Sequence, residues 1–205
     1  MLFRSTALEQ KQFKTALLLE LGRAYHRLGV VMQIHFGVIR DVSQRRFRAL
    51  GPDAGVDAIG DQSSIKELAA FLGALDDTDE LPKTIIYSLN PNDNAAIETV
   101  MGALQTGEAV GKVQHGSAWW FNDHKQGMID QMTSLANEGF LAGFVGMLTD
   151  SYSFLSYARH EYFRRILCEL LGSWVENGEF VNDEKALRTI VKGICVKKAE
   201  RYFQL

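Results

Sequence analysis

Across 205 residues the chain carries only two cysteines, Cys168 and Cys195, and three prolines. Two thiols make no disulfide framework, so a reducing, cytoplasmic setting is expected. They lie in apolar helical surroundings, Ile166-Leu167-Cys168 and Gly193-Ile194-Cys195-Val196, and read as small buried hydrophobes rather than ligands or nucleophiles. No apolar run approaches the roughly 20 residues that span a bilayer. Residues 1–20 alternate charge with Leu and Ala, without the continuous apolar core of a signal peptide. Charge of one sign is also scarce. The 22 basic and 25 acidic side chains leave a net charge of −3, which gives no electrostatic footprint for nucleic acid, and no basic amphipathic segment suits a membrane surface. A local Arg or Lys cluster can still hold a small anion. Low-complexity tracts, Pro-rich linkers and internal repeats are missing as well. What remains, 46% hydrophobic and 23% charged, is ordinary for a folded globular protein.

Hydrophobic spacing predicts an amphipathic helix over residues 8–27, followed by a short apolar strand, Val30-Val-Met-Gln-Ile-His-Phe36, that stops at Gly37. A charged, Gly-rich connection (40–62) leads to a second helix from Ser63 to Leu72 with a Ser cap. The pattern then repeats. Strands are expected at Lys83–Asn90, Lys112–Ser117 and Phe144–Thr149, with helices over 94–105 and 125–138 between them and over 153–175 and 183–202 after the last. Near-continuous apolar strands alternating with helices specify an α/β fold with a parallel sheet covered by helices and right-handed crossovers. An open doubly wound sheet and part of a β/α barrel both satisfy this. A complete eight-stranded barrel takes about 250 residues, so four strands make at most half of one.

In either architecture, reactive groups belong at the carboxyl ends of the strands. That rule gathers His35, Asn90, Trp119, Trp120 and Asp150 on one crevice. Each also has a plainer reading. His35 can be a hydrogen-bonded core residue, and Trp119-Trp120 a packing cluster. Asp150 can cap the helix that begins near Ser153. His115 reads as structural, and His26, His124 and His160 as helix or surface residues. In the helix expected over 153–175, Phe154, Ala158, Tyr162, Ile166 and Leu170 recur every four residues and form the expected inward stripe. Arg159, Arg164 and Arg165 then fall on the surface.

Five segments together resemble the uronate isomerase (glucuronate isomerase) family of the amidohydrolase superfamily. They are Met32-Gln-Ile-His-Phe-Gly-Val-Ile-Arg40, Leu50-Gly-Pro-Asp-Ala-Gly-Val-Asp57, Leu81-Pro-Lys-Thr-Ile-Ile-Tyr-Ser-Leu-Asn-Pro91, Gly111 through Asp123, and Phe144 through Arg165. They follow the family's order over essentially the whole chain, but match its C-terminal part. The resemblance implies the C-terminal half of a distorted (β/α)8 barrel, with about four parallel strands and flanking helices, so that residues 1–205 form a single partial domain. It further implies aldose–ketose isomerisation of D-glucuronate to D-fructuronate and of D-galacturonate to D-tagaturonate. The family's active-site His and Asp fall on His35 and Asp150, with Asp150 also beside a divalent metal such as zinc. Trp119 and Trp120 line the sugar pocket on this reading.

Three departures accompany the match. The family's metal-binding His-x-His has no counterpart in this chain. The family's Asp-Ser-Arg is here Asp150-Ser151-Tyr152, which replaces a permanent cation at the substrate with a hydroxyl that can only hydrogen-bond. His115 stands where an apolar aromatic is expected. A half-barrel also leaves strand edges unpaired. The expected partners are therefore a small hexuronate substrate and either the missing N-terminal half or another copy. A non-catalytic remnant or assembly half, and a metal-dependent hydrolase of the superfamily, are the alternative readings.

Overall fold

The computed structural model describes residues 5–62, 64–148, 150–151 and 153–205. Helix α1 (Ala7–Leu28) opens with a capping box, in which Thr6 and Glu9 satisfy each other's backbone amides, and closes on Gly29 in the left-handed conformation. Strand β1 (Met32–Phe36) follows, then a small antiparallel pair, β2 (Val38–Ile39) with β3 (Ala58–Ile59), that encloses α2 (Gln44–Leu50). This excursion replaces the featureless connection expected over 40–62. Helix α3 (Ile65–Asp76) has Ser64 at its N-cap, although that side chain makes no capping hydrogen bond. Next come β4 (Thr84–Ser88), α4 (Asn94–Ala103), β5 (Val113–His115) and α5 (Lys125–Glu138). Helices α6 (Ala158–Glu176), α7 (Glu184–Lys192) and α8 (Lys198–Phe203) complete the chain, with a π-turn at Gly193–Lys197 between the last two.

The main sheet is parallel, in the order β1-β4-β5. Its register pairs His35 with Tyr87, and Ile86 with His115. Because side chains alternate along a strand, residues in register share a face. Gln33, His35, Ile85, Tyr87 and Gln114 therefore lie on one face, and Met32, Ile34, Ile86, Val113 and His115 on the other. Strand β4 is buried along its whole length, as a central strand must be. Its neighbours share one hydrophobic core with Leu72 and Leu75 of α3, Ile97 of α4, Met128 and Met132 of α5, and Leu167 of α6. Among the described residues, no helix is long and apolar enough to cross a membrane.

The expected fourth strand is not a strand among residues 144–148. Phe144 and Val145 are buried beside β5, but no ladder forms: Phe144 N donates to the Leu141 carbonyl at 3.0 Å, and two later amides are taken by side chains. Val145 N donates to Gln114 Oε1 at 3.1 Å, and Leu148 N to Ser117 Oγ at 3.5 Å. Gly146 turns the chain at φ +88°, where a Cβ would meet the Ile194 carbonyl oxygen at 2.3 Å. An extended run cannot pass through such a residue. Thr149 lies outside the described residues.

Two further expectations change. The inward stripe of α6 is Phe163, Ile166, Leu167, Leu170 and Leu171. Ile166 and Leu170 of the expected stripe are buried, whereas Ala158 and Tyr162 are exposed, and Phe154, which lies in a 3-10 turn (Phe154–Tyr157) ahead of the helix, is 84% exposed. Cys168 is exposed and Cys195 partly buried, so neither is the enclosed hydrophobe expected. Burial nevertheless pushes the Cys195 thiol up, and nearby Cys168 adds to the shift.

Candidate active site at the carboxyl end of the sheet

His35 occupies the end of β1 on the face it shares with Tyr87. The two rings stack, with centroids 4.4 Å apart and planes 3° from parallel. Tyr87 is fixed from below and at its tip. Its ring lies where a Cβ on Gly116 would come within 2.0 Å, and its hydroxyl donates to Gln33 Oε1 at 3.0 Å. Gly116 is thus a gap in β5's continuation that lets the tyrosine ring lie flat. Burial pushes the Tyr87 phenol well above its usual value, and the Asp150 charge pushes the same way. The hydroxyl is a fixed donor and not a base.

Trp119 also meets the imidazole, edge-on, with centroids 4.6 Å apart. Its indole Nε1 donates to Asp150 Oδ2 at 3.0 Å. A single side chain therefore touches the histidine with its ring and the carboxylate with its N–H. Trp120 adjoins Trp119 at 5.7 Å and stacks on Phe121 at 5.2 Å. These aromatics form a shelf, and the Arg40 guanidinium carbon stands 5.3 Å from the centre of Trp120, within cation–π range. Arg40 is held by Asp57, at 3.1 Å, whose carboxylate is nearly inaccessible, and more loosely by the exposed Asp53 at 3.5 Å. Trp120 and Asp150 both have left-handed backbones, at φ +51° and +44°. Such conformations in non-glycine residues gather at functional sites.

The electrostatics follow from this enclosure. The aromatic faces desolvate His35 and push its pKa below the ordinary histidine value, while the negative charge of Asp150 pulls partly back. His35 is nonetheless exposed, so the residue still reaches solvent. The residue is therefore a neutral, oriented imidazole at pH 7. Asp150 is exposed, so its carboxylate is tethered but accessible.

The plainer role for Asp150 does not hold. Ser153 caps the 3-10 turn by accepting from Leu155 N, while Asp150 is engaged by Trp119. Of the residues expected on the crevice, His35, Trp119, Trp120 and Asp150 come together. Asn90 does not join them, since it is buried and its Oδ1 caps the turn at Pro91–Asp93. Tyr152 lies outside the described residues. His115 is buried on the opposite face, with Nδ1 2.8 Å from Glu98 Oε1 of α4, a structural position. His124 caps α5 by accepting from Gly127 N. Arg159 pairs with Asp123, and Arg165 with Glu161, as surface cations do. Sequence reasoning missed Tyr87 and Arg40. Tyr87's register with His35 and the small residue beneath its ring are the signals that could have found it.

Parallel β-α units with polar and aromatic groups at one carboxyl rim are the layout of a sector of a β/α barrel. A family model described as glucuronate isomerase matches residues 3–203, and the chain belongs to that family. It is 64% identical over 196 residues to a uronate isomerase of Lachnoclostridium phytofermentans, covering 96% of this chain and 42% of the relative. It is 61% identical over 198 residues to a uronate isomerase of Lachnospira eligens, covering 97% and 42%. The crystal structure of a uronate isomerase from Thermotoga maritima aligns with a TM-score of 0.87 at 31% identity, over 98% of this chain and 43% of that one. A glucuronate isomerase from Caulobacter crescentus shares the fold, with a TM-score of 0.81 at 22% identity over 92% and 38%. The chain thus spans less than half the length of these relatives and corresponds to a C-terminal part of the family's fold.

Proposed function

We propose that residues 1–205 are one partial domain supplying the C-terminal part of a uronate isomerase site. The reactions are the interconversion of D-glucuronate with D-fructuronate and of D-galacturonate with D-tagaturonate. The observation that carries this reading is the Trp119 bridge, whose indole holds the Asp150 carboxylate 3.0 Å away while its ring packs on His35. A general base and a neutral imidazole are thereby held side by side, with an apolar shelf next to them.

Aldose–ketose isomerisation moves a proton between C2 and C1 of the open-chain sugar through an enediol-like species. Asp150 is the base in this proposal. It is accessible, and its one indole hydrogen bond fixes its direction without covering it. His35 donates an N–H to the oxygen on which charge develops, a role suited to an imidazole kept neutral by its surroundings. Trp119 and Trp120 present ring faces to the sugar's C–H groups, and Tyr152 takes a hydrogen bond from or gives one to the substrate.

The family resemblance also implies a divalent metal such as zinc, which when bound would polarise the sugar's oxygens. Among the described residues, no group of three or more His, Cys, Asp or Glu side chains could hold a metal. Asp150 is the ligand this chain would contribute, and the others must come from the part of the fold it does not contain.

The test is co-expression of this chain with the remaining part of the Lachnoclostridium phytofermentans uronate isomerase, followed by assay on both uronates. The pair should turn them over, and the 205-residue chain alone should not. A well-formed complex without turnover, or full activity of the isolated chain, would refute the reading.

A further inference from the structure

The candidate active site uses the carboxyl ends of the strands. A second pocket, of about 480 Å³, lies at their amino ends, one length of β4 or roughly 16 Å away. Four cationic side chains line it, Lys83, Lys112, Lys198 and Arg201, against one carboxylate, Glu108. The sheet sets the first two side by side. Thr84 pairs with Val113 in the register of β4 and β5, and Thr84 N donates to the Lys112 carbonyl at 2.9 Å. Lys83 and Lys112, one residue earlier on each strand, are therefore cross-strand neighbours, where like charges repel.

Neither ammonium is fully compensated. The Lys112 side chain is 4% exposed, and its Nζ reaches Glu108 Oε2 at 3.2 Å, a carboxylate that is itself 63% exposed. A buried charge held by one solvated partner is costly. Lys83 donates to the Tyr202 carbonyl and stands 5.3 Å from the centre of that ring, with no anion among the described residues. Helix α8 brings the other two cations. Buried Tyr202 anchors it beneath the sheet, its hydroxyl 2.8 Å from the Lys112 carbonyl and 3.1 Å from that of Thr84. Lys198 and Arg201, three residues apart on that helix, share a face beside the anchor. Among the described residues, neither forms an ion pair or a side-chain hydrogen bond.

We propose that this pocket binds a small, multiply charged oxyanion of the phosphate class, held between the Lys83–Lys112 pair and the Lys198–Arg201 pair. A carboxylate offers two oxygens in one plane. A tetrahedral dianion offers three, directed at cations that arrive from two strands and a helix, and it relieves the repulsion between the paired lysines. Inorganic phosphate and the phosphate group of a small monoester share this chemistry. The site is separate from the Asp150–Trp119–His35 group and does not depend on the reaction assigned there. Because its cations tie α8 to the amino ends of β4 and β5, the occupant stabilises the fold by mass action.

The probe is inorganic phosphate, titrated into the full 205-residue chain and into its co-expressed pair with the remaining part of the Lachnoclostridium phytofermentans enzyme. The backbone amide signals of Lys83, Lys112 and Tyr202 should shift saturably and the thermal midpoint should rise, while acetate at equal ionic strength does neither. Lys198→Gln and Arg201→Gln, at a partly exposed and an exposed position, should leave the chain folded and each weaken binding about tenfold. A hexose phosphate that binds more tightly than phosphate would assign the site to an organic monoester, and equal or weaker binding to the free ion; both uphold it. Shifts that do not saturate, that acetate reproduces, or that survive in a variant carrying both substitutions would overturn the proposal. So would binding to the isolated chain that is lost in the pair, because groups from the rest of the fold would then fill the pocket.

Discussion

His35 and His115 lie on the two outer strands of one parallel sheet and face opposite ways. His115, on the helix-covered face, is enclosed and bonded to Glu98, whose other oxygen accepts from Ser134. His35, on the other face, has no carboxylate within hydrogen-bonding range among its described contacts. It is held by ring contacts to Tyr87 and Trp119 and is exposed to solvent. Both sit on apolar strands and look alike in sequence. The face of the sheet decides the difference. A histidine under helices must satisfy its nitrogens internally, whereas one at the open carboxyl rim can be oriented by flat surfaces and leave a nitrogen for a ligand.

Breaking the buried side of this comparison should cost most in stability. Glu98→Ala removes a fully buried carboxylate and strands both His115 and Ser134, an expected loss of about 3–5 kcal/mol in urea unfolding, with His35 untouched. An equal effect at His35 would show that the two histidines are not distinct in role. Gly116→Ala comes next. Its Cβ must displace the Tyr87 ring, which should cost about 1–3 kcal/mol and loosen His35, visible as a changed His35 ring-proton shift. Trp119→Phe keeps a ring over His35 but removes the donor to Asp150. It should cost about 1 kcal/mol, and a neutral outcome would mean that the indole–carboxylate bond orders nothing.

The smallest effect is a titration. NMR should place the His35 pKa below the ordinary value of about 6.5, and Asp150→Asn should lower it further, because the carboxylate favours the imidazolium. The sign for stability follows. The folded state binds the His35 proton less readily than the unfolded chain does. This site's contribution is therefore complete above the unfolded value and is lost as pH falls through the folded one. An upward shift in the Asp150→Asn variant would contradict the charge contact between the two residues.

Much of this was legible in the sequence. Helices with strong periodicity came out nearly whole: residues 125–138 are observed as read, and 8–27 within a residue at each end. The strand-end rule picked out His35, Trp119, Trp120 and Asp150 because it depends on chain direction alone. Three kinds of feature were hidden. The β2–β3 pair and α2 lie in a stretch whose charges and glycines look like loop, yet Arg40 bonds Asp57 there across 17 positions. Phe144–Leu148 is apolar enough for a strand, but Gly146 at a left-handed angle and the Gln114 side chain decide otherwise. Tyr87 drew no notice because an apolar run does not say which face its tyrosine takes, and its stacking on His35 exists only once β1 and β4 are in register.

The most direct test of the Asp150–Trp119–His35 group is the isomerase activity of the co-expressed pair carrying Asp150→Asn. The substitution keeps a hydrogen-bond acceptor for Trp119 but removes the base. Turnover of D-glucuronate should fall by about 10²–10⁴-fold with the complex still assembled. Wild-type turnover in that variant would remove Asp150 from the chemistry and contradict the proposed site.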